Sequence, residues 1–157
     1  MSSVFEKIQS LLNAAGEEFV VSRHEPVFTS EEAARVRGVA LSSGAKALIC
    51  KADDRFLMFV LSADRKLDSK RFRKQNAVRK MRFATREEVL AKTGLAPGSI
   101  PPFGSLFGLP TLCDESLANE PTINFNAGDH AISVSMSFDA YRKVESPQMA
   151  AFSSPAD

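Results

Sequence analysis

The order of apolar and polar positions along the chain predicts several short helices. Three segments begin with a capping box, in which a Ser or Thr is followed three residues later by Glu, and continue with apolar residues at helical spacing. These capping boxes predict helix starts at Ser3, Thr29 and Thr85. A last helix follows Ser137, and a basic helix begins near Lys66.

Runs of apolar and β-branched residues between these helices predict short strands. The strands are expected at residues 18–22, 45–51, 56–62, 78–83, 106–112, 122–126 and 131–136. The turn at 52–55 joins two of them in a hairpin, and the run 56–61 is apolar throughout, as in a central strand covered on both faces. The pattern therefore predicts a mixed α/β fold, a single domain with a largely antiparallel, barrel-like sheet surrounded by helices.

Length and composition agree with one ordinary globular domain. The chain has 157 residues, of which 44% are hydrophobic and 25% are charged. No apolar run has membrane-spanning length and the N-terminus lacks a signal-peptide pattern, so we expect a cytoplasmic protein with no membrane partner. Residues 1–145 are expected to form the domain, and residues 146–157, rich in Ser, Pro and Ala, a flexible tail.

Charge is spread unevenly along the chain, although the net charge is only +1. The basic residues between positions 65 and 82 are Arg65, Lys66, Lys70, Arg71, Arg73, Lys74, Arg79, Lys80 and Arg82. Asp68 is the only acidic residue in this segment. Such a basic block predicts a polyanionic partner that docks on one face, with a merely solvated helix face as the alternative.

The segment Gly94–Gly104 contains three glycines and three prolines, too many for a helix or a central strand. Prolines stiffen such a loop, and glycines let its backbone approach another group closely. Its main-chain N–H groups, notably near Gly98 and Ser99, are suited to hold a carbonyl oxygen or a small anion. A stiff connector between a helix and a strand is the other interpretation.

Lys46 lies at the start of an otherwise apolar strand, on the strand face that also carries Leu48 and Cys50. Because lysine is almost never fully buried without a partner, its ammonium is expected to face the interior or a cleft. No carboxylate is near it in sequence, which favours the phosphate of a ligand as its partner. The alternative is an ordinary lysine whose stem packs on the strand end while its charge reaches water.

Several common catalytic arrangements are absent from the sequence. Ala45 separates Gly44 from Lys46, so this segment is not a phosphate-binding P-loop, and neither a Rossmann glycine fingerprint nor a Gly-x-Ser-x-Gly motif occurs. The only two histidines, His24 and His130, and the two isolated cysteines are too few for a convincing metal site. We therefore expect no metal and no cofactor.

Five segments in a particular order carry a family resemblance. They are 29–34 (TSEEAA), 44–46 (GAK), 66–68 (KLD), 97–104 (PGSIPPFG) and 126–130 (NAGDH). From about His24 to Val144 the chain resembles the YbaK/ProX aminoacyl-tRNA deacylases, freestanding relatives of the editing insertion domain of bacterial prolyl-tRNA synthetase. The Gly-x-x-x-Pro element from Gly98 to Pro102, together with the strand lysine upstream, is the specific part of the resemblance.

The resemblance implies hydrolysis of the ester that joins a wrong amino acid to tRNA, without a cofactor. It implies that Lys46 contacts the 3′-terminal adenosine and that the loop from Gly98 to Pro102 holds the aminoacyl carbonyl with main-chain amides. Water is then activated with help from a ribose hydroxyl of the substrate. Lys46 and Gly98 are the candidate catalytic residues that follow from it. The candidate substrate-binding residues are Thr29, Ser99, Pro102 and His130.

The expected partners are tRNA and, as a candidate, an aminoacyl-tRNA synthetase. The candidate tRNA-binding residues are Lys66, Lys70, Arg71, Arg73 and Lys74. The expected substrate is tRNA for proline carrying a small amino acid such as alanine, ahead of cysteine, serine and threonine; in some relatives the histidine that matches His130 bears on pocket size. Two alternatives stay open: a non-catalytic tRNA- or synthetase-binding module with this fold, and a small-molecule hydrolase, which would not need the basic helix.

Overall fold

The computed structural model describes residues 3–156 and confirms the mixed α/β class. The α-helices are α1 (Val4–Ala14), α2 (Ser30–Arg37), α3 (Ser69–Asn76), α4 (Arg86–Thr93) and α5 (Phe138–Glu145). The strands are β1 (Val20–Arg23), β2 (Ala45–Ala52), β3 (Arg55–Ser62), β4 (Arg65–Leu67), β5 (Met81–Phe83), β6 (Thr111–Asp114), β7 (Thr122–Asn126), β8 (Ile132–Ser137), β9 (Gln148–Ala150) and β10 (Ser153–Pro155). None of these helices combines the length and the apolar character that crossing a bilayer requires.

The predicted helix starts are confirmed by their caps. Ser3 and Thr85 each take part in a complete capping box, and Thr29 accepts a hydrogen bond from the third N–H of α2. The basic helix begins later than predicted, because Lys66 belongs to β4 and Asp68 caps α3. These starts follow from local side chain–backbone bonds, which is why the sequence pattern could locate them.

The strands form three open sheets. Their orders are β5-β2-β3-β6-β9, β1-β8-β7 and β10-β4. The predicted β2–β3 hairpin is present, β3 is the central strand of the largest sheet, and only the β3–β6 and β6–β9 pairs are parallel. The largely antiparallel pairing is therefore confirmed, and the sheets stay open rather than closing into a barrel.

Apolar side chains cover both faces of the largest sheet. On one face Ala45 and Ile49 of β2 join a large core with the three-stranded sheet and helices α1 and α5. On the other face Cys50 of β2 joins a smaller core around Phe59 and Phe72. This two-sided burial explains why the run 56–61 carries no polar residue.

The strand predicted at 106–112 begins late. The 3₁₀-helix Gly104–Phe107 includes the first two residues of the predicted strand, and β6 starts only at Thr111. Gly108 lies in the left-handed region with φ of 69°, and Pro110 offers no N–H for pairing, so the chain between them cannot extend as a strand.

The C-terminal segment is built into the sheets, which differs from the predicted flexible tail at 146–157. Gln148–Ala150 and Ser153–Pro155 are strands, and Phe152 between them is fully buried. The carboxylate of Asp114 accepts hydrogen bonds from the Phe152 N–H and the Ser153 hydroxyl, both at 2.7 Å. The Ser, Pro and Ala content of this segment suggested disorder, but one large apolar anchor and a buried carboxylate order it.

Candidate active site

The loop rich in glycine and proline begins with a tight turn. Pro97 occupies the second position of the turn and Gly98, with φ of 90°, the third, while the Ser99 N–H donates to the Ala96 carbonyl at 3.3 Å. Proline and glycine at these positions are what a type II turn requires, since glycine adopts such a φ without strain. The turn places Gly98 on the wall of a small cavity.

Two neighbouring residues hold this turn in place. Asn126 Nδ2 donates to the Gly98 carbonyl at 2.7 Å, and the Gly128 N–H donates to the Ser99 carbonyl at 2.9 Å. Both partners lie at the end of β7 or just after it, close to His130 in sequence. The turn is therefore fixed by the segment 126–130, the last of the five segments that carry the family resemblance.

Pro102 attaches the far end of the loop to α5. Its carbonyl accepts a 2.6 Å hydrogen bond from the hydroxyl of Tyr141, which is fully buried. Burial raises the pKa of Tyr141, so the phenol stays a hydrogen-bond donor. Pro102 is itself buried and does not line the cavity, so its observed contact is with the protein's own core.

The two main-chain amides that the sequence singled out differ in availability. The Ser99 N–H donates its hydrogen bond inside the turn, and the Ser99 hydroxyl also donates to the Ala96 carbonyl, at 2.8 Å. Ser99 is only 3% exposed. In contrast, the Gly98 N–H donates no hydrogen bond to any of residues 3–156. Of this pair, only the Gly98 amide is left to bind a carbonyl oxygen.

The cavity beside Gly98 has a volume of about 100 Å³. Its walls come from the start of α2, the residues that precede and begin β2, strand β7 and the glycine–proline loop. The lining includes Thr29, Ala33, Arg37, Gly44, Ala45, Gly98, Ile100, Asn124 and Asn126. Because an apolar cavity of about 150 Å³ holds a benzene molecule, this one has room for a small amino-acid side chain.

Asn124 lines the cavity with one amide atom unpaired. Its Nδ2 donates to the Ser43 hydroxyl at 3.0 Å, and that hydroxyl donates onward to the Ala40 carbonyl at 2.7 Å. Since the Ser43 proton is committed to a carbonyl, the hydroxyl must accept from Asn124, which fixes the orientation of the amide. Within the described residues the Asn124 Oδ1 accepts no hydrogen bond, so it can accept one from a ligand.

Arg37 is a half-buried cation in the cavity wall that the sequence analysis missed. Its Nε donates to the Ser133 hydroxyl at 2.8 Å and its Nη2 to Asn126 Oδ1 at 2.9 Å; the same hydroxyl contacts His24 Nε2 at 2.7 Å. Burial lowers the pKa of Arg37 to about 10, so it is charged at neutral pH. One signal could have found it: Arg37 stands four residues after the buried Ala33, on the core face of α2.

Thr29 also lines the cavity, but its hydroxyl serves the helix end. It accepts the Glu32 N–H and donates to Glu32 Oε1, both at 3.1 Å. A substrate contact by Thr29 would have to share this hydroxyl with α2.

His130 lies against the Gly98 turn, as its place in the sequence suggested. Its Nδ1 contacts the Val27 carbonyl at 3.0 Å, and its ring centroid is 4.7 Å from that of Phe28. A Cβ atom added to Gly98 would stand 3.4 Å from the His130 Cε1, so the two residues are in van der Waals contact range. The structure thus brings Gly98, His130 and the cavity together.

Lys46 stands beside the cavity rather than in it. Gly44 and Ala45, immediately before it, line the cavity, but strand alternation turns Lys46 to the opposite sheet face, with Cys50. Its ammonium donates a hydrogen bond to the Arg65 carbonyl. No hydrogen bond joins Lys46 to Gly98 among residues 3–156, and the pairing of the two in one cleft stays a prediction.

The charge of Lys46 is only partly compensated. Burial lowers its pKa, and the negative charges of Glu31 and Asp64 act in the opposite direction with smaller effect. Within the part of the chain that the structure describes, no carboxylate oxygen lies within 4.0 Å of its ammonium. Since Glu31 belongs to α2, whose start lines the cavity, the ammonium lies close enough to this helix for the Glu31 charge to affect its pKa.

The five candidate tRNA-binding residues are spread over β4 and α3. Lys66 belongs to β4 and Lys70, Arg71, Arg73 and Lys74 belong to α3. Lys70 and Lys74 are exposed, whereas the Arg71 guanidinium donates to the Ser153 carbonyl at 3.2 Å, where Arg65 also donates at 3.3 Å. Part of the basic block therefore secures β10, and part faces solvent.

Neither cysteine contributes a nucleophile. Cys50 and Cys113 are buried free thiols, and burial raises the pKa of each to about 12. Among residues 3–156 there is also no group of three or more His, Cys, Asp or Glu side chains that could hold a metal ion.

Comparisons with known proteins agree with this arrangement. The family model of the aminoacyl-tRNA editing domain matches residues 24–144. The multifunctional Ser/Thr-tRNA deacylase ProXp-y of Escherichia coli is 31% identical over 156 residues, which cover 96% of this chain and 93% of that protein. A proline–tRNA ligase of Solidesulfovibrio magneticus is 34% identical over 116 residues, which cover 71% of this chain and 20% of the ligase.

A solved structure shows the same fold. A protein described as a candidate trans-editing enzyme for prolyl-tRNA synthetase superposes with a TM-score of 0.83 at 24% identity, covering 98% of this chain and 99% of the other. Together with the family match, which includes the Gly98 turn, Lys46 and the segment around His130, this similarity extends over nearly the whole described chain. The chain belongs to the aminoacyl-tRNA editing domain family and is a hydrolase that deacylates aminoacyl-tRNA.

Proposed function

We propose that this deacylase works in trans on mischarged tRNA and removes small hydroxylated amino acids, serine and threonine, ahead of alanine. The observation that carries this proposal is the unpaired Oδ1 of Asn124 in a cavity of about 100 Å³. A seryl or threonyl hydroxyl would donate a hydrogen bond to it, and an alanyl methyl group would leave it unpaired. The Escherichia coli relative is named a Ser/Thr-tRNA deacylase, which supports the same order. Alanine on tRNA for proline, expected from the sequence, thus takes second place.

The main-chain N–H of Gly98 is the proposed hydrogen-bond donor to the oxyanion. This free N–H donates to the carbonyl oxygen of the ester, and a donor aimed at a developing oxyanion contributes about 3–4 kcal/mol to lowering the barrier. Water attacks the carbonyl carbon, and the bond from this carbon to the ribose oxygen breaks. One proton of the water passes to the ribose oxygen that leaves, and the rest of the water becomes part of the carboxyl group. The products are the free amino acid and uncharged tRNA. A ribose hydroxyl assists the water, as the family resemblance implies.

Lys46 is proposed to hold the phosphodiester backbone near the 3′ end. Three observations on residues 3–156 support this role: no carboxylate oxygen lies within 4.0 Å of the ammonium, burial lowers its pKa, and its hydrogen bond goes to the Arg65 carbonyl. A phosphate would replace that neutral acceptor with a charged one, which makes a stronger hydrogen bond. This role does not require direct contact between Lys46 and Gly98.

Exposed basic residues are proposed to bind the tRNA farther from its end. Lys70 and Lys74 are exposed on α3, and Lys66 precedes them on β4. The match to part of a proline–tRNA ligase makes tRNA for proline and a synthetase the candidate partners, and a cytoplasmic location, where tRNA is charged, belongs to the same proposal.

The test is a panel of tRNAs charged with serine, threonine, alanine or cysteine. We expect faster hydrolysis of the seryl and threonyl esters than of the alanyl ester. Replacing Asn124 with Ala should reduce the preference for seryl and threonyl over alanyl esters about tenfold. This factor corresponds to the net free energy of one hydrogen bond. The ratio between substrates is the readout, so a general loss of stability does not imitate the result.

Lys46→Met should lower kcat/KM on the best substrate at least about 100-fold, because a charge-assisted contact of about 3 kcal/mol is lost. Lys51→Met, on the same strand, is the matched control and should keep its activity. Binding of tRNA without hydrolysis of any ester would instead support the binding-module alternative. Equal hydrolysis of free aminoacyl esters would support the small-molecule hydrolase.

A further inference from the structure

Phe28 is the most exposed of the large apolar side chains that the structure describes, at 70%. It directly precedes Thr29, the N-cap of α2, and stands at the edge of the cavity beside Gly98. A single exposed apolar residue needs no special explanation. Its position does, because Phe28 and Gly98 line the same cavity.

The Phe28 side chain borders two recesses. On one side is the cavity of about 100 Å³ that is proposed to receive the amino acid. On the other side is a shallower depression of about 410 Å³, lined by Pro26, Leu95, Ser99, Gly128 and His130. The two recesses are adjacent, as are the amino acid and the nucleoside in the terminal residue of a charged tRNA.

The aromatic ring is supported from behind. The His130 ring lies 4.7 Å from it, centroid to centroid, at an angle of 39°. His130 is in turn held by the contact of its Nδ1 with the Val27 carbonyl and by the Val27 N–H, which donates to the His130 carbonyl, both at 3.0 Å. One face of Phe28 is thus backed by a tethered ring, and the rest of the ring is open to solvent.

We propose that the 3′-terminal adenine base stacks on Phe28 in the larger depression, while the amino acid esterified to the same nucleotide enters the smaller cavity. This inference rests on the proposed function. Unpaired bases at the end of a nucleic acid are recognised by stacking on aromatic side chains, which every base permits through its π face. Phe28 is then a positioning residue that sets the ester against the Gly98 amide.

The binding test uses an uncharged RNA microhelix with 2-aminopurine as its terminal base, whose fluorescence is quenched when it stacks. Wild-type protein should quench it, Phe28→Tyr should retain the quenching, and Phe28→Ala should remove it. Phe83→Ala is the matched control, since Phe83 is 60% exposed on β5. Urea unfolding of each variant checks that the fold is intact.

The kinetic test measures deacylation of the best mischarged tRNA. Phe28→Ala should raise KM by about 5- to 150-fold, the range equivalent to one stacked base, with a smaller change in kcat. Unchanged KM and unchanged quenching in Phe28→Ala would overturn the inference while leaving the proposed function intact. A change in amino-acid selectivity with normal quenching would also overturn it, by assigning Phe28 to the amino-acid cavity. Absence of deacylation by wild-type protein would count against the proposed function instead, while the quenching test still decides on stacking.

Discussion

The side-chain amide of Asn126 connects the Gly98 turn to a half-buried charge. Its Nδ2 donates to the Gly98 carbonyl at 2.7 Å, and its Oδ1 accepts from Arg37 Nη2 at 2.9 Å. Because Arg37 is half-buried on α2, its guanidinium orients the amide, and the amide orients the turn that carries the free N–H. The geometry of the proposed oxyanion donor thus depends on a residue two hydrogen bonds away from the turn.

Asn126→Ala should therefore reduce kcat/KM about 10- to 100-fold, because a small misplacement of an oxyanion donor is costly. It should also lower the free energy of unfolding by about 1–3 kcal/mol, since Arg37 loses an acceptor. Steady-state deacylation and urea unfolding measure the two effects. Asn76→Ala is the control, because Asn76 Nδ2 also donates to a carbonyl, that of Phe72 at 2.9 Å, away from the cavity. Equal activity of the two variants would contradict the positioning role.

Lys70→Gln and Lys74→Gln should each weaken tRNA binding and reduce the slope of log Kd against log salt concentration by about 1, because each removes one phosphate contact. Filter binding over a series of salt concentrations measures the slope. Lys7→Gln, an exposed lysine on α1, is the control and should leave it unchanged. Identical slopes in all three variants would show that the tRNA does not run along α3.

Phe152→Ala should lower the free energy of unfolding by about 3–5 kcal/mol, the usual cost of removing a buried phenyl ring. The Phe152 ring is fully buried and packs edge-on against Phe59, with centroids 5.2 Å apart. Urea unfolding provides the measurement, with Phe83→Ala as an exposed control expected to change stability by less than about 0.5 kcal/mol. A small effect of Phe152→Ala on the free energy of unfolding would instead support the flexible tail that composition predicted for residues 146–157.

Stability should fall at alkaline pH because of the two buried thiols. Burial raises the pKa of Cys50 and of Cys113 from 9.0 to about 12, so the folded state keeps protons that the unfolded state loses above pH 9. The stability that they contribute is complete below pH 9 and decreases as pH rises toward 12. Each thiol adds up to about 1.4 kcal/mol per pH unit to this slope.

Arg37 acts in the opposite direction at higher pH. Burial lowers its pKa from 12.5 to about 10, so above pH 10 the unfolded state binds more protons and this residue alone would raise stability. Burial also raises the pKa of Tyr141 and lowers that of Lys46, and the effects of both grow as pH approaches 10. Urea unfolding from pH 8 to about 9, under reducing conditions, therefore reports mainly on the thiols. Cys50→Ala should remove about half of the pH slope even though it also lowers stability at pH 8. A slope that is unchanged in this variant would mean that other groups cause it.

Features that depend on neighbouring residues were predicted well from the sequence. The capping boxes at Ser3 and Thr85 begin helices, and the turn at 52–55 joins β2 to β3. Strand alternation also placed Lys46 on the face of Cys50, where it lies. What alternation could not reveal is that the Lys46 ammonium donates to the Arg65 carbonyl.

Features that depend on distant residues were predicted poorly. The Ser99 amide looked available because its partner, the Ala96 carbonyl, is recruited only once the turn closes. Arg37 was not singled out from the sequence, because its acceptors come from β7 and β8. The segment 146–157 looked disordered because Asp114, which orders it, lies far upstream.

The amino-acid sequence alone determined the family, the helix starts, the hairpin and the stiff turn at Gly98, since each is encoded in a few consecutive residues. Only the tertiary structure decided which groups meet at the cavity. Asn126 reaches Gly98 across 28 positions and Arg37 reaches Asn126 across 89. Such contacts form only when packing of the whole core brings α2, β7 and the loop together, so no local pattern could specify them.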